Sequence, residues 1–433
     1  MTFYLNRHQN HQRAANLYAF AFIEKGGGVA SIGHAFYGGS GAPQDALSPA
    51  RQLVPSSQAF SVLYANGSVR TWGSREAGGG FAYSPSAGNH AVQRIFSTSG
   101  AFAAIRADGS VIAWGRDLSG GQLDKTGEKN PADIQELIGR NVSTLFAADN
   151  AFAALRGDGT VVGWPKDSYG GDASKISGRF AELVSNRYAF AGITTTGGVK
   201  AWGSLDFGGE LSAAAKANLS SGVKKIVATG SAFAALKSNG AVVAWGGRSS
   251  GGDPDKTIQR QLAGEVKSVY ATESAFAAIT KGGGVVAWGD SSAGGQIPDR
   301  LTGSLKNVRT VYASNNSFAA ITNDQIISWG SRYAEGVLKI PNAEQIVDVV
   351  ASSEAFAALT NRGRVLTWGK GDFGGRPDEE TRKLLRSGVV ALQANYGAIA
   401  AIKSDGRLIS WGDSDFGGKK GVDPFIRDVV SFG

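Results

Sequence analysis

Apolar and polar residues alternate along this chain in short runs that recur in a fixed order. Residues 223–227 read Val-Lys-Lys-Ile-Val, which has the period of two that is typical of a half-buried strand. Residues 232–236 read Ala-Phe-Ala-Ala-Leu and are apolar on both faces, so we expect this second strand to be covered on both sides. Residues 242–246 read Val-Val-Ala-Trp-Gly and follow Asn239-Gly240, a pair that accepts positive φ. The second and third strands are therefore predicted to form a β-hairpin.

This three-strand unit occurs ten times at a period of about 42 residues. Such a period predicts one unit stacked repeatedly on itself, because a single copy cannot bury its own hydrophobic faces. The Trp of the Trp-Gly pair recurs in nine copies, and the first copy has Ile32 instead. We predict a single repeat domain over residues 1–433, with hairpins near residues 20–33, 60–73, 102–115, 152–165, 190–203, 233–246, 276–289, 318–330, 356–369 and 399–412.

All nine Trp residues of the chain fall at this one position. A Trp that binds a ligand is normally a singular feature, so the distribution predicts a structural role. Truncating a buried Trp to Ala costs about 3–5 kcal/mol. The residues predicted to form the core are Phe102, Phe152, Phe233, Phe276, Trp114, Trp202, Trp245, Trp288, Trp368 and Trp411.

The segment after each Gly-Gly pair varies from copy to copy. Residues 210–220 and 378–386 are predicted to form short helices, since both open with acidic residues, as the helix dipole favours. Variable outer segments on a constant frame are where repeat proteins place their binding surface.

The two ends of the repeat array are complementary. Residues 426–430 nearly duplicate the first strand of an earlier copy, residues 346–350, but no hairpin follows them. The first copy has a hairpin, but the polar residues 10–13 precede it. We therefore expect the last strand to complete the first copy and close a ring. The predicted fold class is all-β, a β-propeller-like array of ten copies, with two five-bladed rings and an open superhelical array as alternatives.

The hairpin followed by Trp-Gly-x-x-x-x-Gly resembles the repeat of the RCC1-like (regulator of chromosome condensation) β-propeller family. The resemblance runs from about Phe20 to Phe432, and residues 114–123 (WGRDLSGGQL) come nearest to the family pattern. Gly-Gly generally replaces the family's Gly-Gln, and the family normally has seven longer blades. The resemblance implies interaction roles, including those of bacterial effector and surface proteins. For the namesake it implies guanine-nucleotide exchange on a small GTPase, with chromatin contact.

The net charge is +8, from 44 basic and 36 acidic residues that are scattered along the chain. Nucleic-acid binders concentrate their charge on one face, so this scatter disfavours a nucleic-acid partner. The chain has no Cys, which excludes disulfides, thiol catalysis and thiolate metal sites. It has no apolar run that predicts a membrane span, and its first residues lack the apolar core of a secretory signal. We expect a protein that is cytoplasmic or exported without a classical signal peptide.

Sequences that resemble catalytic motifs have structural explanations in the repeat. Asp-Phe-Gly occurs at residues 206–208, 372–374 and 415–417, always at the same register, and is predicted to be a turn. His8 and His11 have a His-x-x-His spacing without a third ligand, and His34 and His90 have no evident catalytic partner. The sequence therefore predicts no enzyme, no cofactor and no metal.

The longest insertion lies between Trp114 and Trp164. Residues 123–135 (LDKTGEKNPADIQ) form a charged loop there, although propeller loops also tolerate changes of length without a functional reason. The residues 40–57 and 81–83 are the other unusual segments. The candidate partner-binding residues are Leu123, Asp124, Lys125, Glu128, Lys129 and Asn130.

The leading functional hypothesis is a non-enzymatic platform whose variable rim loops bind a protein, such as a small GTPase, or a surface glycan. Regular repeats without Cys favour a bacterial protein, for example an effector or a toxin-associated protein. The alternative is a guanine-nucleotide exchange factor or chromatin-binding protein of the RCC1 type. A propeller hydrolase or lyase is disfavoured by the small number of His residues, four in all.

Overall fold

The computed structural model describes residues 15–44, 48–85, 90–123, 138–166, 170–419 and 428–432. These residues form ten antiparallel sheets, so the protein has the predicted fold class, an all-β, propeller-like array. We number the sheets 1 to 10 in chain order and call the three repeated strands of each sheet a, b and c.

The strands, in the order a, b and c, have the following bounds. Sheet 1 contains β32 (Val429–Ser431), β1 (Ala19–Glu24) and β2 (Val29–Gly33); sheet 2, β3 (Ala50–Pro55), β4 (Ala59–Tyr64) and β5 (Val69–Gly73); sheet 3, β7 (Val92–Ser97), β8 (Ala101–Arg106) and β9 (Val111–Gly115); sheet 4, β10 (Val142–Ala147), β11 (Phe152–Arg156) and β12 (Val161–Trp164); sheet 5, β13 (Phe180–Ser185), β14 (Ala189–Thr194) and β15 (Val199–Gly203). Sheet 6 contains β16 (Val223–Ala228), β17 (Ala232–Lys237) and β18 (Val242–Gly246); sheet 7, β19 (Val266–Ala271), β20 (Ala275–Thr280) and β21 (Val285–Gly289); sheet 8, β22 (Thr310–Ala313), β23 (Ser317–Ile321) and β24 (Gln325–Gly330); sheet 9, β26 (Ile346–Ala351), β27 (Ala355–Thr360) and β28 (Val365–Gly369); sheet 10, β29 (Val389–Ala394), β30 (Ala398–Lys403) and β31 (Leu408–Gly412). Sheets 2 and 8 each gain a fourth strand, β6 (Ala82–Tyr83) and β25 (Gly336–Lys339).

The b and c strands pair as the predicted hairpins. In sheet 6, Phe233 lies opposite Trp245, and the connecting turn contains Gly240 at a φ of 84°. Phe233 packs toward sheet 5, whereas Ala234 of the same strand packs toward sheet 7. The b strand is therefore covered on both faces, as its doubly apolar sequence predicts.

Ten buried apolar clusters join the sheets in succession. Nine lie between consecutive sheets along the chain, and one lies between sheet 10 and sheet 1. The a strands of successive sheets approach one another more closely than the c strands do. The sheets therefore fan outward from a row of a strands.

Eight of the hairpins carry a Phe–Trp pair, and this pair packs against the preceding sheet. Phe276 and Trp288 of sheet 7 stack with their ring centroids 5.2 Å apart, and Trp288 Nε1 donates a hydrogen bond of 3.0 Å to the carbonyl oxygen of Gly251 in sheet 6. A Cβ added to Gly251 would lie 2.8 Å from the Phe276 ring, so the first glycine of the Gly-Gly pair leaves the space that these rings fill.

The first and last sheets meet. Strand β32 pairs with β1 and occupies the position of the a strand in sheet 1. Phe432 is buried beside Phe20 of sheet 1 and Ala400 of sheet 10. The C-terminal strand thus completes the first copy, as the two incomplete ends of the sequence predict.

Short helices follow several of the sheets. The helices α1 (Ala213–Asn218) and α4 (Glu379–Leu384) lie within the two segments predicted to be helical. The helices α2 (Lys256–Gln261) and α3 (Asp299–Thr302) occupy equivalent places, and the sequence analysis did not predict them. Eight 3-10 helices follow the c strands, at Ala35–Tyr37, Arg75–Ala77, Asp117–Ser119, Leu205–Phe207, Arg248–Ser250, Ser291–Ala293, Gly371–Phe373 and Ser414–Phe416.

Candidate functional site

The array has two unlike ends. The turns between a and b strands and the 3-10 helices lie together at one end, which we call the turn end: Gly247 N donates to Ser231 O across 2.7 Å there. The turns between b and c strands lie beside the starts of the a strands at the other end, which we call the hairpin end. Val223 N at the start of β16, for example, donates to Gly197 O in the b–c turn of sheet 5.

The a–b turns are linked from sheet to sheet by backbone hydrogen bonds. Asp149 N donates to Arg187 O at 3.0 Å, Arg187 N to Gly230 O at 3.3 Å, and Gly230 N to Glu273 O at 2.7 Å. Glu273 N then donates to Asn315 O at 2.9 Å, and the same bond recurs at four further junctions. Side chains at equivalent positions of successive turns are therefore neighbours, although about 42 residues separate them in the sequence.

A charged group spans four of these turns. The carboxylate of Glu273 in sheet 7 forms an ion pair with the guanidinium of Arg187 in sheet 5. Gly230 of sheet 6 lies between them, and a Cβ there would collide with the Glu273 carboxylate. Burial raises the pKa of Glu273 to about 7, although Arg187 lowers it, and the charge of Asp149 raises it further. Because residue 230 has no side chain, the ion pair can connect sheet 5 with sheet 7 across the a–b turn of sheet 6.

This pKa predicts a pH dependence that Glu273→Gln removes. Between pH 4.5 and about 7, the Glu273 carboxyl group stays protonated in the folded chain. In the unfolded chain, where its pKa is the ordinary 4.5, the same group loses its proton. The stability that this proton contributes is therefore present below pH 4.5 and is lost as the pH rises to about 7. The free energy of unfolding of the natural chain should fall across this window by an amount on the order of 3 kcal/mol relative to Glu273→Gln. Urea unfolding at several pH values measures this difference, and parallel pH profiles for the two proteins would contradict it.

An aromatic band crosses sheets 9, 10 and 1 at the turn end. The rings of Phe373, Tyr396, Phe416, Tyr18 and Tyr37 follow one another with centroids 5.8, 5.4, 5.4 and 4.3 Å apart. All five side chains are half-buried, so one edge of the band faces solvent. The Tyr18–Phe416 contact joins the first copy to the last, so the band exists because sheets 1 and 10 are adjacent.

Exposed aromatic and cationic groups flank this band. Phe36 is 67% exposed and packs against Tyr37 at one end of the band. Tyr333, which is 41% exposed, lies at the other end. Lys370 Nζ lies 4.3 Å from the centroid of Phe373 and 5.4 Å from that of Tyr333, and Arg332 lies over the same Tyr333 ring. Lys370 thus connects Tyr333 to the band, so the band and its flanks form one surface of aromatic and cationic side chains.

The aromatic residues predicted to be core all lie in the interior. Phe102, Phe152, Phe233 and Phe276 are 0% exposed, and the six Trp residues of that prediction are between 3% and 7% exposed. Six Trp Nε1 atoms donate to the carbonyl oxygen of the first glycine in the preceding sheet, at Trp72, Trp164, Trp245, Trp288, Trp329 and Trp411. This recurrent bond ties six of the hairpins to the preceding sheet, whereas Nε1 of Trp114, Trp202 and Trp368 is buried without a hydrogen-bond partner.

The predicted binding loop falls largely beyond the described part of the chain. Leu123 packs against the cluster between sheets 3 and 4, whereas Asp124, Lys125, Glu128, Lys129 and Asn130 lie outside the described residues. The unusual residues 81–83 belong to the frame, because Phe81 stacks on Trp114 with the centroids 4.4 Å apart and Ala82–Tyr83 is strand β6.

Two of the histidines, His34 and His90, and the three Asp-Phe-Gly sequences lie in the described part of the chain. Asp206, Asp372 and Asp415 lie in 3-10 helices, and the glycine that ends each helix has a positive φ. His34 contacts Tyr37, His90 lies 3.4 Å from Asp108, and His8 and His11 are outside the described residues. Within the described ranges, no three His, Asp or Glu side chains are grouped to hold a metal ion, and no helix is long and apolar enough to cross a membrane.

Charge is unequally distributed between the segments of the turn end and the remaining described residues. The a–b turns and the segments from the c strands to the Gly-Gly positions carry seven basic and eleven acidic described residues, a net charge of −4. The other described residues carry 31 basic and 18 acidic residues, a net charge of +13. Sequence reasoning missed this difference because each repeat contributes only a few charges to the turn end, and these lie among other charged residues in the sequence.

A bulge at the start of the a strands shapes the hairpin end. In sheet 6, Val223 lies opposite Lys237 and Lys225 opposite Leu236, so Lys224 between them is outside the ladder. Seven other a strands, in sheets 2, 3, 4, 5, 7, 9 and 10, have the same shift. The residue at the second position of the repeated pattern is exposed in every sheet; we call these residues the bulge row: Val430, Arg51, Gln93, Ser143, Ala181, Lys224, Lys267, Arg309, Val347 and Val390.

Comparisons with known proteins show similar structures and no matching sequence family. No family model matches the chain, and no curated protein matches it. The structure of Prp20p from Saccharomyces cerevisiae is similar with a TM-score of 0.36 and 13% identity, covering 97% of this chain and 87% of that chain. Human WBSCR16 has a TM-score of 0.39 and 13% identity, covering 89% and 99%. The CRINKLY WD40 ectodomain of the Arabidopsis thaliana receptor kinase ACR4 has a TM-score of 0.35 and 16% identity, covering 61% and 93%. The function has to be argued from this chain's own residues.

Proposed function

We propose that this chain is a non-enzymatic binding platform that holds a protein partner at its turn end. The observation that carries the proposal is the aromatic band with its flanking Phe36 and Tyr333. The rings of the band and its flanks span sheets 8, 9, 10 and 1, and they are partly or largely exposed to solvent on a rigid, repeated frame.

The composition of this surface fits a protein partner. Tyr, Phe and Arg are enriched at the centres of protein–protein interfaces, where a few such side chains supply most of the binding energy. Phe36 and Tyr333 offer exposed rings, and Arg332 and Lys370 lie within cation–π distance of the Tyr333 ring. The band is fixed by contacts among its own rings, so little side-chain entropy is lost when a partner covers it.

The frame explains how such a surface can arise in a repeat protein. Tyr37, Phe373 and Phe416 occupy the third position of their 3-10 helices, and this position is Ser119 and Ala293 in two other copies. Changes at these positions leave the hairpins and the Trp contacts intact. The array can therefore vary its turn end without loss of fold.

Paired variants test this proposal. Phe36→Ser with Tyr333→Ser removes both exposed rings of the surface. Leu118→Ser with Leu205→Ser is the matched control, because these leucines are 54% and 68% exposed on 3-10 helices of sheets 3 and 5, away from the band. The proteins that the natural chain retains from cell lysate would be identified, purified and titrated against all three forms.

We expect the aromatic variant to bind its protein partner at least about tenfold more weakly, since two hot-spot side chains are lost, and the control to bind normally. Equal affinity for all three forms would contradict the proposed surface. Binding confined to a glycan array would replace the protein partner by a glycan. Accelerated nucleotide release from a retained small GTPase would identify an exchange factor.

A further inference from the structure

The hairpin end carries a second surface, formed by the bulge row. Its members come from neighbouring a strands, and residues of adjacent a strands interact there. Arg94 donates to Ser143 O in the next sheet, and Lys225 of sheet 6 lowers the pKa of Glu182 in sheet 5, which burial raises. Side chains at this end of successive a strands are therefore neighbours and can be contacted together.

The bulge row contains two consecutive blocks of three sheets with different side chains, whereas its members in sheets 2 to 5 are mixed. Lys224, Lys267 and Arg309 give sheets 6, 7 and 8 an exposed cation each, and we call these three residues the basic arc. The next three sheets present valines that are 54–56% exposed, namely Val347, Val390 and Val430, which we call the valine arc. Single exposed apolar residues are ordinary, but three from consecutive sheets form a patch of the kind that marks an interaction site.

A bulge accompanies the exposed residue of this row in every sheet except sheet 8, where Arg309 directly precedes strand β22 (Thr310–Ala313). An extra residue in one strand is left out of the ladder and has its side chain redirected, and bulges are over-represented next to functional sites. Valine at a bulge contributes neither to the ladder nor to the buried clusters. The clusters include the residues at the first and fourth positions, such as Val389 and Leu392 in sheet 10 and Val429 and Phe432 in sheet 1. The frame therefore offers no structural reason for three valines in solvent.

We infer that the bulge row is a docking surface for an acidic polypeptide segment that also carries aliphatic side chains. Charge complementarity supports an acidic partner, because this end belongs to the part of the molecule with a net charge of +13. The valine arc favours a polypeptide, since aliphatic side chains can cover valines. A single-stranded nucleic acid would instead need exposed aromatic rings on which its bases stack, and the row presents valines. This surface lies at the opposite end from the aromatic band and is independent of it.

Binding of a defined probe tests the inference on the full chain. The probe is a short fluorescent peptide in which glutamates and leucines alternate in blocks, and its comparison has serines in place of the leucines. One variant is Lys224→Gln with Lys267→Gln and Arg309→Gln, and a second is Val347→Ser with Val390→Ser. All five residues are exposed, so both variants should fold. The matched control, Lys256→Gln with Arg382→Gln and Lys383→Gln, removes the same charge from helices α2 and α4.

We expect the natural chain to bind the leucine-containing peptide, and each bulge-row variant to bind it about tenfold or more weakly. The control should lose less than about twofold, and the serine peptide should bind more weakly than the leucine peptide. Failure of the natural chain to bind, or an equal loss in the control, would overturn the inference. The inference would also be overturned if a thymidine oligonucleotide bound the natural chain at least as tightly as the leucine-containing peptide does, and if the basic-arc variant bound this oligonucleotide more weakly.

Discussion

Replacing Trp288 by alanine should lower the free energy of unfolding by about 3–5 kcal/mol. The side chain is 3% exposed, stacks on Phe276, and donates its indole N–H to Gly251 in the preceding sheet. Its removal therefore empties the interface between sheets 6 and 7 and leaves the Gly251 carbonyl oxygen without its bond from the indole. Urea unfolding followed by circular dichroism measures the loss.

Tyr333→Ala is the control for this change, because Tyr333 is an aromatic residue that is 41% exposed. Its effect on stability should stay within about 0.5 kcal/mol. If Trp288→Ala left the stability unchanged and instead abolished partner binding, the repeated Trp would be a ligand site and its structural role would be wrong.

Gly252→Ala should also destabilise the protein, by about 3 kcal/mol, the upper end of the usual cost of overpacking. A Cβ at position 252 would lie 2.5 Å from the carbonyl carbon of Gly246 and 2.9 Å from its nitrogen. Both are backbone atoms of the hairpin, so they cannot move aside as a flexible side chain would. Thermal and urea unfolding of the purified variant give the size of the effect.

Gly282→Ala is the matched control, because nothing lies within 4 Å of an added Cβ at that position. Its stability should change by no more than about 1 kcal/mol, and a small gain is expected from the stiffer unfolded chain. Equal losses in the two variants would mean that the second glycine of Gly-Gly is kept for its flexibility and not for the contact with Gly246.

The constant part of the fold was predictable because the repeat displays its constraints many times. The doubly apolar b strand, the Asn-Gly turn and the Trp of the c strand are visible in the local sequence, and these residues pair as the hairpin of sheet 6. The completion of sheet 1 by β32 was predictable for a different reason, since an a strand was missing at one end and left over at the other.

The surfaces were not predictable, because they consist of residues that the fold brings together from distant copies. Tyr18 and Phe416 lie at opposite ends of the sequence and stack 5.4 Å apart. Glu273 reaches Arg187 because Gly230 lacks a side chain, which no single repeat reveals. The sequence did contain one usable signal: the second residue of each a strand could have been aligned across the ten copies, which would have shown the basic arc followed by the valine arc.

Both proposed surfaces depend on the contact between the first and last sheets. The aromatic band and the valine arc each cross from sheet 10 to sheet 1, so neither exists in an open array. Ile23 of β1 lies opposite Ser431 of β32. Directly opposed residues of antiparallel strands have Cα atoms about 4.5–5.5 Å apart, within reach of a disulfide.

Because the chain has no Cys, Ile23→Cys with Ser431→Cys creates its only thiol pair. Oxidation of this variant at low concentration, followed by mass spectrometry and non-reducing electrophoresis, reports whether the two ends are adjacent. If the ends are adjacent, a disulfide should form within a single molecule. Mass spectrometry should then show the loss of two hydrogens, and the monomer band should shift in non-reducing electrophoresis. Thiols that stay free, or that link only separate molecules, would contradict this prediction.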